Sequence, residues 1–258
     1  MDRVFLKIGS FNIYWYSVLI VTSVIIGYYF SVREAKKNGL TKNFISDLVF
    51  YLVIVSILGA RIYYVIFDFN EYKDNLLDIF KIWEGGIAIY GAVISAIIFI
   101  MIYSKKKEKN YLLVLDTLVP YLIFGQALGR WGNFFNKEAH GSITTLGHLH
   151  RLHLPNFIIK GMYINGAYYI PTFLYESIWC ILGFILLLII RKKDQYKHTG
   201  TLLFTYFIWY GIGRFIIEGM RTDSLYFLGL RISQIVSIIL IIIGIIGLIR
   251  IVIKNKRK

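Results

Sequence analysis

The side chains best suited to chemistry lie in one run, Gly129-Arg130-Trp131-Gly132-Asn133-Phe134-Phe135-Asn136-Lys137-Glu138-Ala139-His140-Gly141, where a long apolar segment meets a polar loop. Arg130 offers a forked cation that can grip a phosphate through two hydrogen bonds. Asn133 falls on the same face if the helix continues, and Asn136 and Glu138 add an amide and a carboxylate. Polar groups this dense beside a bilayer indicate a binding site, although the run could also simply cap a membrane helix.

A second polar set follows later in the chain. Arg214, Glu218 and Arg221 are spaced i, i+4 and i+7 inside an apolar segment, which places them on one helical face. An internal Arg–Glu ion pair that keeps both charges tolerable in lipid is the alternative. Glu176 follows Pro171 at the start of another apolar segment, where a carboxylate is also favoured as a helix cap.

The composition is that of a polytopic membrane protein. The chain has 258 residues, of which 57% are hydrophobic and only 17% are charged, against about 25% charged in a soluble domain. A single cysteine, Cys180, excludes a disulfide framework and a cysteine metal site. We predict one integral-membrane domain over residues 1–258, with no metal and no organic cofactor.

Seven apolar segments are each long enough to cross a hydrocarbon core about 30 Å thick. The predicted spans are 13–30, 46–67, 87–103, 111–129, 172–190, 202–220 and 232–253. We therefore predict an all-α fold of seven transmembrane helices.

The basic residues of the loops predict how the chain is oriented. Segments 31–45, 104–110, 191–199 and 250–258 carry 17 Lys and Arg residues, whereas the longer alternate set carries 10. The positive-inside rule makes the richer set cytoplasmic, with the N-terminus outside and the C-terminus inside. The net charge of +14 is thus a topology signal, and no aromatic-interleaved basic groove suggests nucleic acid.

The longest loop, 130–171, is predicted to form a small extracytoplasmic cap between the fourth and fifth helices. Within it, Asn165-Gly166 between alternating apolar residues predicts a tight hairpin. The loop also holds four histidines, whose spacing does not match a helical zinc site. The histidines are His140, His148, His150 and His153.

Three further positions have both a structural and a functional interpretation. Tyr16 lies in an aromatic group at the start of the first span, which is typical of an interface belt. Arg61 follows Gly59-Ala60 and cannot shed its charge, so it needs a carboxylate, a phosphate or water. Tyr90 opens the third span after Trp83-Glu84-Gly85-Gly86.

These motifs resemble the prolipoprotein diacylglyceryl transferase family over nearly the whole chain. The run from Gly129 to Gly141 matches its signature G-R-x-G-N-F-x-N-x-E-x-x-G at all eight fixed positions. The segment from Pro171 to Glu176 matches P-[ST]-x-L-Y-E, and that from Tyr210 to Arg221 matches Y-G-x-x-R-F-x-x-E-x-x-R. Two positions depart from better-studied members, which carry His where this chain has Tyr90 and often His where it has Ile170.

The resemblance implies a bacterial plasma-membrane enzyme whose active site faces the outer leaflet. It would move the diacylglyceryl unit of phosphatidylglycerol onto the lipobox cysteine of a preprolipoprotein signal peptide, releasing glycerol phosphate. The implied catalytic residues are Arg130, Arg214, Glu218 and Tyr90. The implied phosphatidylglycerol-binding residues are Arg130, Asn133, Asn136, Glu138, Gly141, Tyr16, Arg61, Glu176 and Arg221.

Two other classes of function remain open from the residues alone. A lipid permease or flippase could use the same arginines as a transit site, but it predicts a polar pathway to the cytoplasmic side and often inverted repeats. The cytoplasmic halves of the spans are almost uncharged, which disfavours a permease. A seven-span receptor would need a cytoplasmic output module, and the cytoplasmic loops are short.

Overall fold

The computed structural model describes residues 3–9, 11–193 and 200–256, apart from the side chain of Glu84. The chain divides into two compact units, one formed by the chain up to Phe30 and from Leu118 onward, and one formed by Ser31–Thr117. Part of the predicted cytoplasmic segments, namely 194–199 and 257–258, lies outside the described residues. Each unit is treated by itself below.

Long helices account for most of the described chain, at the positions that the apolar segments predict. They are α1 (Trp15–Lys37), α2 (Lys42–Phe67), α3 (Ile89–Lys106), α4 (Tyr111–Asn136), α7 (Thr172–Arg191), α8 (Thr201–Glu218) and α9 (Ile232–Lys256). Two short helices, α5 (Leu146–Arg151) and α6 (Asn156–Gly161), lie between α4 and α7.

Six of the long helices are long and apolar enough to cross a membrane, by length and composition. The exception is α8, whose single apolar stretch contains both Arg214 and Glu218. The protein is thus a helical polytopic membrane protein. The seventh span and the orientation of the chain stay predictions.

Three small antiparallel sheets accompany the helices, which an all-α prediction omits. Strands β1 (Val4–Ile8) and β2 (Phe11–Tyr14) form a hairpin before α1. Strands β3 (Ile143–Thr144), β4 (Tyr163–Ile164) and β5 (Ala167–Tyr169) form a sheet in the order β3-β5-β4. Strands β6 (Tyr226–Phe227) and β7 (Leu230–Arg231) form the last hairpin.

The predicted loop 130–171 is shorter and more ordered than the apolar pattern indicated. The polar residues after Gly129 end the apolar run but not the helix, since α4 continues to Asn136. The rest folds over a core that includes Phe134, Leu149 and Met162. The predicted hairpin is confirmed, since β4 pairs with β5 across Asn165-Gly166, and both turn residues have positive φ.

Glycines set the close helix contacts in both units. On α4, Gly125 lies against Ser23 and Gly129 against Ile20, both on α1. In the second unit, a Cβ on Gly59 of α2 would overlap Ser95 of α3. Small residues let these helices approach closely enough for dispersion contacts to hold them in lipid.

Candidate active site

One buried carboxylate, that of Glu176, lies between the two arginines that the sequence singles out. Arg130 Nη2 is 2.6 Å from Glu176 Oε1, and Arg214 Nη1 is 3.2 Å from the same oxygen. Arg130 lies near the end of α4, Glu176 near the start of α7 and Arg214 near the end of α8. Three helix ends therefore meet at one point, and both guanidinium groups converge there.

Arg214 holds the cluster together through both of its terminal nitrogens. While Nη1 contacts Glu176, Nη2 lies 2.5 Å from Glu218 Oε2 and donates to Ser233 Oγ at 3.3 Å. The predicted Arg214–Glu218 ion pair is thus confirmed. Arg231 donates to the backbone carbonyl of Glu218, which ties the start of α9 to the same place. Two buried carboxylates around one guanidinium satisfy a charge that would otherwise be costly in lipid.

Arg130 is the more available of the two arginines. Its side chain is 20% exposed, against 13% for Arg214 and 5% for Glu176. Within the part of the chain that the structure describes, Arg130 has Glu176 as its one ion-pair partner, through Nη2 alone. Its Nε and Nη1 donors are the ones that a bound phosphate could take up in the bidentate manner.

The prediction that Arg221 shares the helical face of Arg214 and Glu218 is wrong. Helix α8 ends at Glu218, so Arg221 lies beyond it. Its Nε and Nη2 donate to the two carboxylate oxygens of Asp223 at 2.9 and 2.7 Å. Burial opposes the ionisation of Asp223, but the hydrogen bond from Arg221 and its charge lower the pKa of that carboxyl below its ordinary value.

Asn133, Asn136 and Glu138 form a second cluster at the end of α4. Asn133 and Asn136 both donate to Glu138 Oε1, at 2.9 and 3.3 Å. The backbone N–H of Glu138 also donates to the carbonyl of Asn133. This cluster caps α4, as the structural interpretation of the motif expects, and it leaves the Glu138 side chain exposed.

Gly141 is a point where backbones come together. Its N–H donates to the carbonyl of Ile170 at 2.9 Å, and it forms an isolated bridge with Arg221. A Cβ at this position would press on Ile170, on the carbonyl of Met220 and on Thr172. The glycine of the signature is therefore needed for close approach between the start of α7 and the chain after α8.

Tyr16 of α1 packs against α4. Its ring lies directly on Gly132, where any Cβ would overlap the ring atoms. Gly132 is two residues after Arg130 and one before Asn133. The tyrosine is 38% exposed, so part of its ring is open to the surroundings.

Arg61 is buried in the second unit and is bound by backbone. Its guanidinium donates to the carbonyls of Asp78, Ile79, Gly85 and Gly86, at 2.6 to 2.8 Å. It also lies over the ring of Tyr72, 4.9 Å from the centroid. This network lines a cavity of about 260 Å³. In the described residues, backbone carbonyls take the place of the carboxylate partner that the sequence suggested for Arg61.

Tyr90 lies in the first turn of α3 and is half-buried. The Gly85-Gly86 turn that Arg61 holds comes just before it. In addition, the N–H of Ala88 donates to the carbonyl of Ala60 at 3.1 Å. Residues 60 and 61 of α2 thus set where α3 begins and where Tyr90 is placed.

Several polar contacts beside the arginine cluster were missed from the sequence. Trp131 Nε1 donates to Ser177 Oγ, which in turn donates to the carbonyl of Ala127. Gln126, one turn before Arg130, donates to the hydroxyl of Tyr206 at 2.8 Å. The signal that could have found Gln126 and Tyr206 is their helical spacing, at i−4 from Arg130 and i−8 from Arg214.

The loop histidines do not converge on one another. His148 and His150 lie in α5, whereas His140 Nδ1 lies 3.1 Å from the carbonyl of Gly141 and the His140 ring packs on Tyr169. In the described residues, no group of three or more His, Cys, Asp or Glu side chains is placed to hold a metal ion.

Comparison with known proteins assigns the chain to a family. The family profile described as prolipoprotein diacylglyceryl transferase matches residues 3–250. A protein of Listeria innocua named phosphatidylglycerol–prolipoprotein diacylglyceryl transferase is 51% identical over 239 residues, covering 93% of this chain and 86% of the relative. Relatives of the same name in Ligilactobacillus salivarius and Halalkalibacterium halodurans are 49% and 50% identical, each over 93% of this chain and over 89% and 82% of their own lengths. The chain therefore belongs to the prolipoprotein diacylglyceryl transferase family.

Proposed function

We propose that this protein transfers the diacylglyceryl group of phosphatidylglycerol to the lipobox cysteine of preprolipoproteins, the activity for which its relatives are named. Family membership supports the reaction class. The geometry that supports it in this chain is the placement of Arg130 and Arg214 on one carboxylate, Glu176.

The reaction exchanges one bond at the lipid's glycerol backbone. The cysteine sulfur bonds to the carbon that carries the phosphate, and the carbon–oxygen bond to the phosphate breaks. Glycerol phosphate leaves with the electron pair, and a thioether joins the peptide to the diacylglyceryl unit. The thiol proton passes to a base, and no oxidant or reductant takes part.

The arginine cluster is suited to the charge that develops on the leaving phosphate. Preorganised cations aimed at the developing charge stabilise the transition state more than the ground state. Arg214 is held by Glu176 and Ser233 as well as by Glu218, so its position is set before the charge develops. Arg130 has free N–H groups for the phosphate oxygens, and Glu176 fixes its orientation.

We assign Glu218 the role of accepting the thiol proton, because its carboxylate is 2% exposed and lies within the cluster. A thiolate is the reactive form of cysteine, and nearby guanidinium groups favour it. Tyr90 completes the proposed catalytic set by orienting a headgroup through its hydroxyl.

The remaining predicted binding residues support the site in different ways. Tyr16 positions α4 by packing on Gly132, and the cluster of Asn133, Asn136 and Glu138 offers polar groups one to two turns beyond Arg130. Gly141 and Arg221 join the chain segments at its rim. Arg61 acts through the loop that it holds.

We place the site at the outer leaflet. The Lys and Arg residues concentrate in segments 31–45, 104–110, 191–199 and 250–258, and these are cytoplasmic by the positive-inside rule. The arginine cluster forms where α4 ends, α7 begins and α8 ends, which is the opposite side. The signal peptide and the anionic headgroup would both reach it from that surface.

The direct test uses the purified protein, phosphatidylglycerol and a lipobox peptide, with the mass of the peptide followed over time. We expect the mass to increase by one diacylglyceryl unit. A peptide with serine in place of the lipobox cysteine is the matched control and should not react. A lipid permease would leave the peptide mass unchanged, and that result would overturn the proposal.

A further inference from the structure

A buried polar column continues from the arginine cluster toward the middle of the bundle. Tyr206, Tyr210 and Arg214 follow one another on α8 at steps of four residues, and Gln126 precedes Arg130 on α4 by the same step. One such step is about 6 Å along a helix axis. The two columns meet, because Gln126 Nε2 donates to the hydroxyl of Tyr206 at 2.8 Å.

The tyrosines connect this contact to the arginines. The rings of Tyr206 and Tyr210 stack with their centroids 5.6 Å apart. Tyr210 lies one step of four residues before Arg214, on the same face of α8. A polar path about one to two helical turns long therefore runs from the guanidinium groups to the Gln126 amide.

The Gln126 amide has one polar atom that nothing satisfies. Its Oε1 is buried and lacks a hydrogen-bond partner among the described residues. A buried acceptor without a donor costs about 1–3 kcal/mol, so such atoms are rare unless a ligand or an ordered water completes them. Packing does not require an amide here, because an apolar side chain of the same shape would avoid the cost.

The lipid that the proposed function requires can supply the missing donor only from its headgroup. The phosphate oxygens and the two ester carbonyls of phosphatidylglycerol accept hydrogen bonds and donate none. The two hydroxyls of the terminal glycerol are its only donors. That glycerol is three carbons long, which is comparable to one turn of helix, about 5.4 Å.

We propose that Gln126, held by Tyr206, accepts a hydrogen bond from a headgroup hydroxyl of phosphatidylglycerol and so selects this lipid over phospholipids without a hydroxyl. The inference rests on the proposed function and adds the means by which the headgroup is recognised. With the phosphate on the Nε and Nη1 donors of Arg130, the head glycerol extends along the column. A headgroup lacking the hydroxyl leaves the amide unpaired, and a site built for a hydroxyl rejects such an analogue strongly.

The test compares two lipids that differ only in these hydroxyls, phosphatidylglycerol and phosphatidylpropanol with the same acyl chains. Both lipids carry the same charge on a phosphodiester, so Arg130 and Arg214 should bind the two phosphates equally well. For the unaltered protein we expect kcat/KM to be about tenfold higher with phosphatidylglycerol. For Gln126→Leu we expect the ratio to fall to about one, with turnover of phosphatidylpropanol retained.

Two further variants separate recognition from structure. Tyr206→Phe removes the hydroxyl that fixes the amide, and we expect it to lower the ratio partway. Ser177→Ala removes a hydroxyl of similar burial that bonds to Ala127 of α4, and we expect it to leave the ratio unchanged. Thermal midpoints of all three variants identify any general loss of stability.

The outcomes are distinct. If Gln126→Leu keeps the tenfold preference, the amide meets water or another group, and the inference is overturned. If the unaltered protein shows no preference between the two lipids, the inference also fails, while the transferase function stands. If neither lipid supports transfer by the unaltered protein, the proposed function itself fails.

Discussion

Trp179 and Trp209 each donate the indole N–H to the backbone carbonyl of the other, both at 2.9 Å. The centroids of their stacked rings are 4.4 Å apart. Each ring also covers the glycine that follows the other tryptophan by four residues: Trp209 lies over Gly183, and Trp179 lies over Gly213. The two W-x-x-x-G pairs thus join α7 and α8 reciprocally. Since Glu176 and Arg214 lie one turn or less from this joint, it fixes the distance between them.

Filling one of these glycine positions should destabilise the protein. In Gly213→Ala the new Cβ would overlap the Trp179 indole, so we expect a loss of about 1–3 kcal/mol, as for overpacking elsewhere. The measurement is the thermal midpoint in detergent. Gly147→Ala is the control, because nothing lies within 4 Å of the added Cβ in α5. Equal midpoints for the two variants would contradict the role of the tryptophan joint.

Replacement by lysine should affect stability more at Arg214 than at Arg130. Arg214 spans Glu176 and Glu218 with separate nitrogens, which a single ammonium cannot do. We expect Arg214→Lys to lower both the thermal midpoint and turnover, the latter by about 100-fold or more. Arg130 contacts one carboxylate, so Arg130→Lys should lower turnover while changing the midpoint little.

Turnover and thermal midpoint are measured on the same preparations, with the lipobox peptide assay for the first. Arg214→Ala and Arg130→Ala should abolish transfer although the protein still inserts. If both alanine variants transfer the lipid at the rate of the unaltered protein, the proposal that Arg130 and Arg214 stabilise the leaving phosphate is wrong.

Some of this site could be predicted from the sequence and some could not. The helices follow from long apolar runs, and Arg130 and Arg214 follow from charges that lipid would otherwise reject. Glu176 looked equally like a helix cap, and only the tertiary structure shows its carboxylate between two arginines. Arg221 was misplaced because the helix was extended past Gly219, although a glycine directly after Glu218 is a helix-ending signal. The carbonyl partners of Arg61 are 17 to 25 residues away, and no local pattern encodes them.

Loss of Arg61 should loosen the loop before α3. Arg61→Ala leaves four backbone carbonyls without their donor, at a cost of about 3 kcal/mol to the local structure. Arg61→Lys should fail to restore it, since one ammonium cannot reach all four carbonyls. Amide hydrogen exchange across residues 79–90 measures the effect, and transfer activity should fall with it.

Lys73→Ala is the matched control, because Lys73 is an exposed cation in the same loop. Its exchange should match that of the unaltered protein. Protected amides in Arg61→Ala would show that the loop is held by other contacts and that Arg61 has a different task.

The ion pair between Arg221 and Asp223 should make a small contribution to stability that depends on pH. Because the pKa of Asp223 is lowered in the folded protein, the contribution is fully present above the unfolded value of about 3.9 and is lost as the pH falls through the lower folded value. Asp223 is 46% exposed, so we expect about 0.5 kcal/mol. The unaltered protein should exceed Asp223→Asn in thermal midpoint at pH 7, and the difference should shrink as the pH falls below about 4. A constant difference between them would mean that the carboxylate charge is not the cause.

Substitutions of Tyr90 test what this position contributes to the reaction when it carries a tyrosine in place of the histidine of better-studied family members. If its hydroxyl orients a headgroup, Tyr90→Phe removes one neutral hydrogen bond and should lower kcat/KM by about 3- to 10-fold without abolishing transfer. Tyr90→His should then keep most of the activity, and its pH–rate profile should show no new dependence near pH 6.5, the ordinary histidine pKa. Complete loss in Tyr90→Phe with lipid binding intact would instead give the hydroxyl a chemical role. A new acid limb in the profile of Tyr90→His would show that a group at this position can take the thiol proton, and the assignment of Glu218 would then fall.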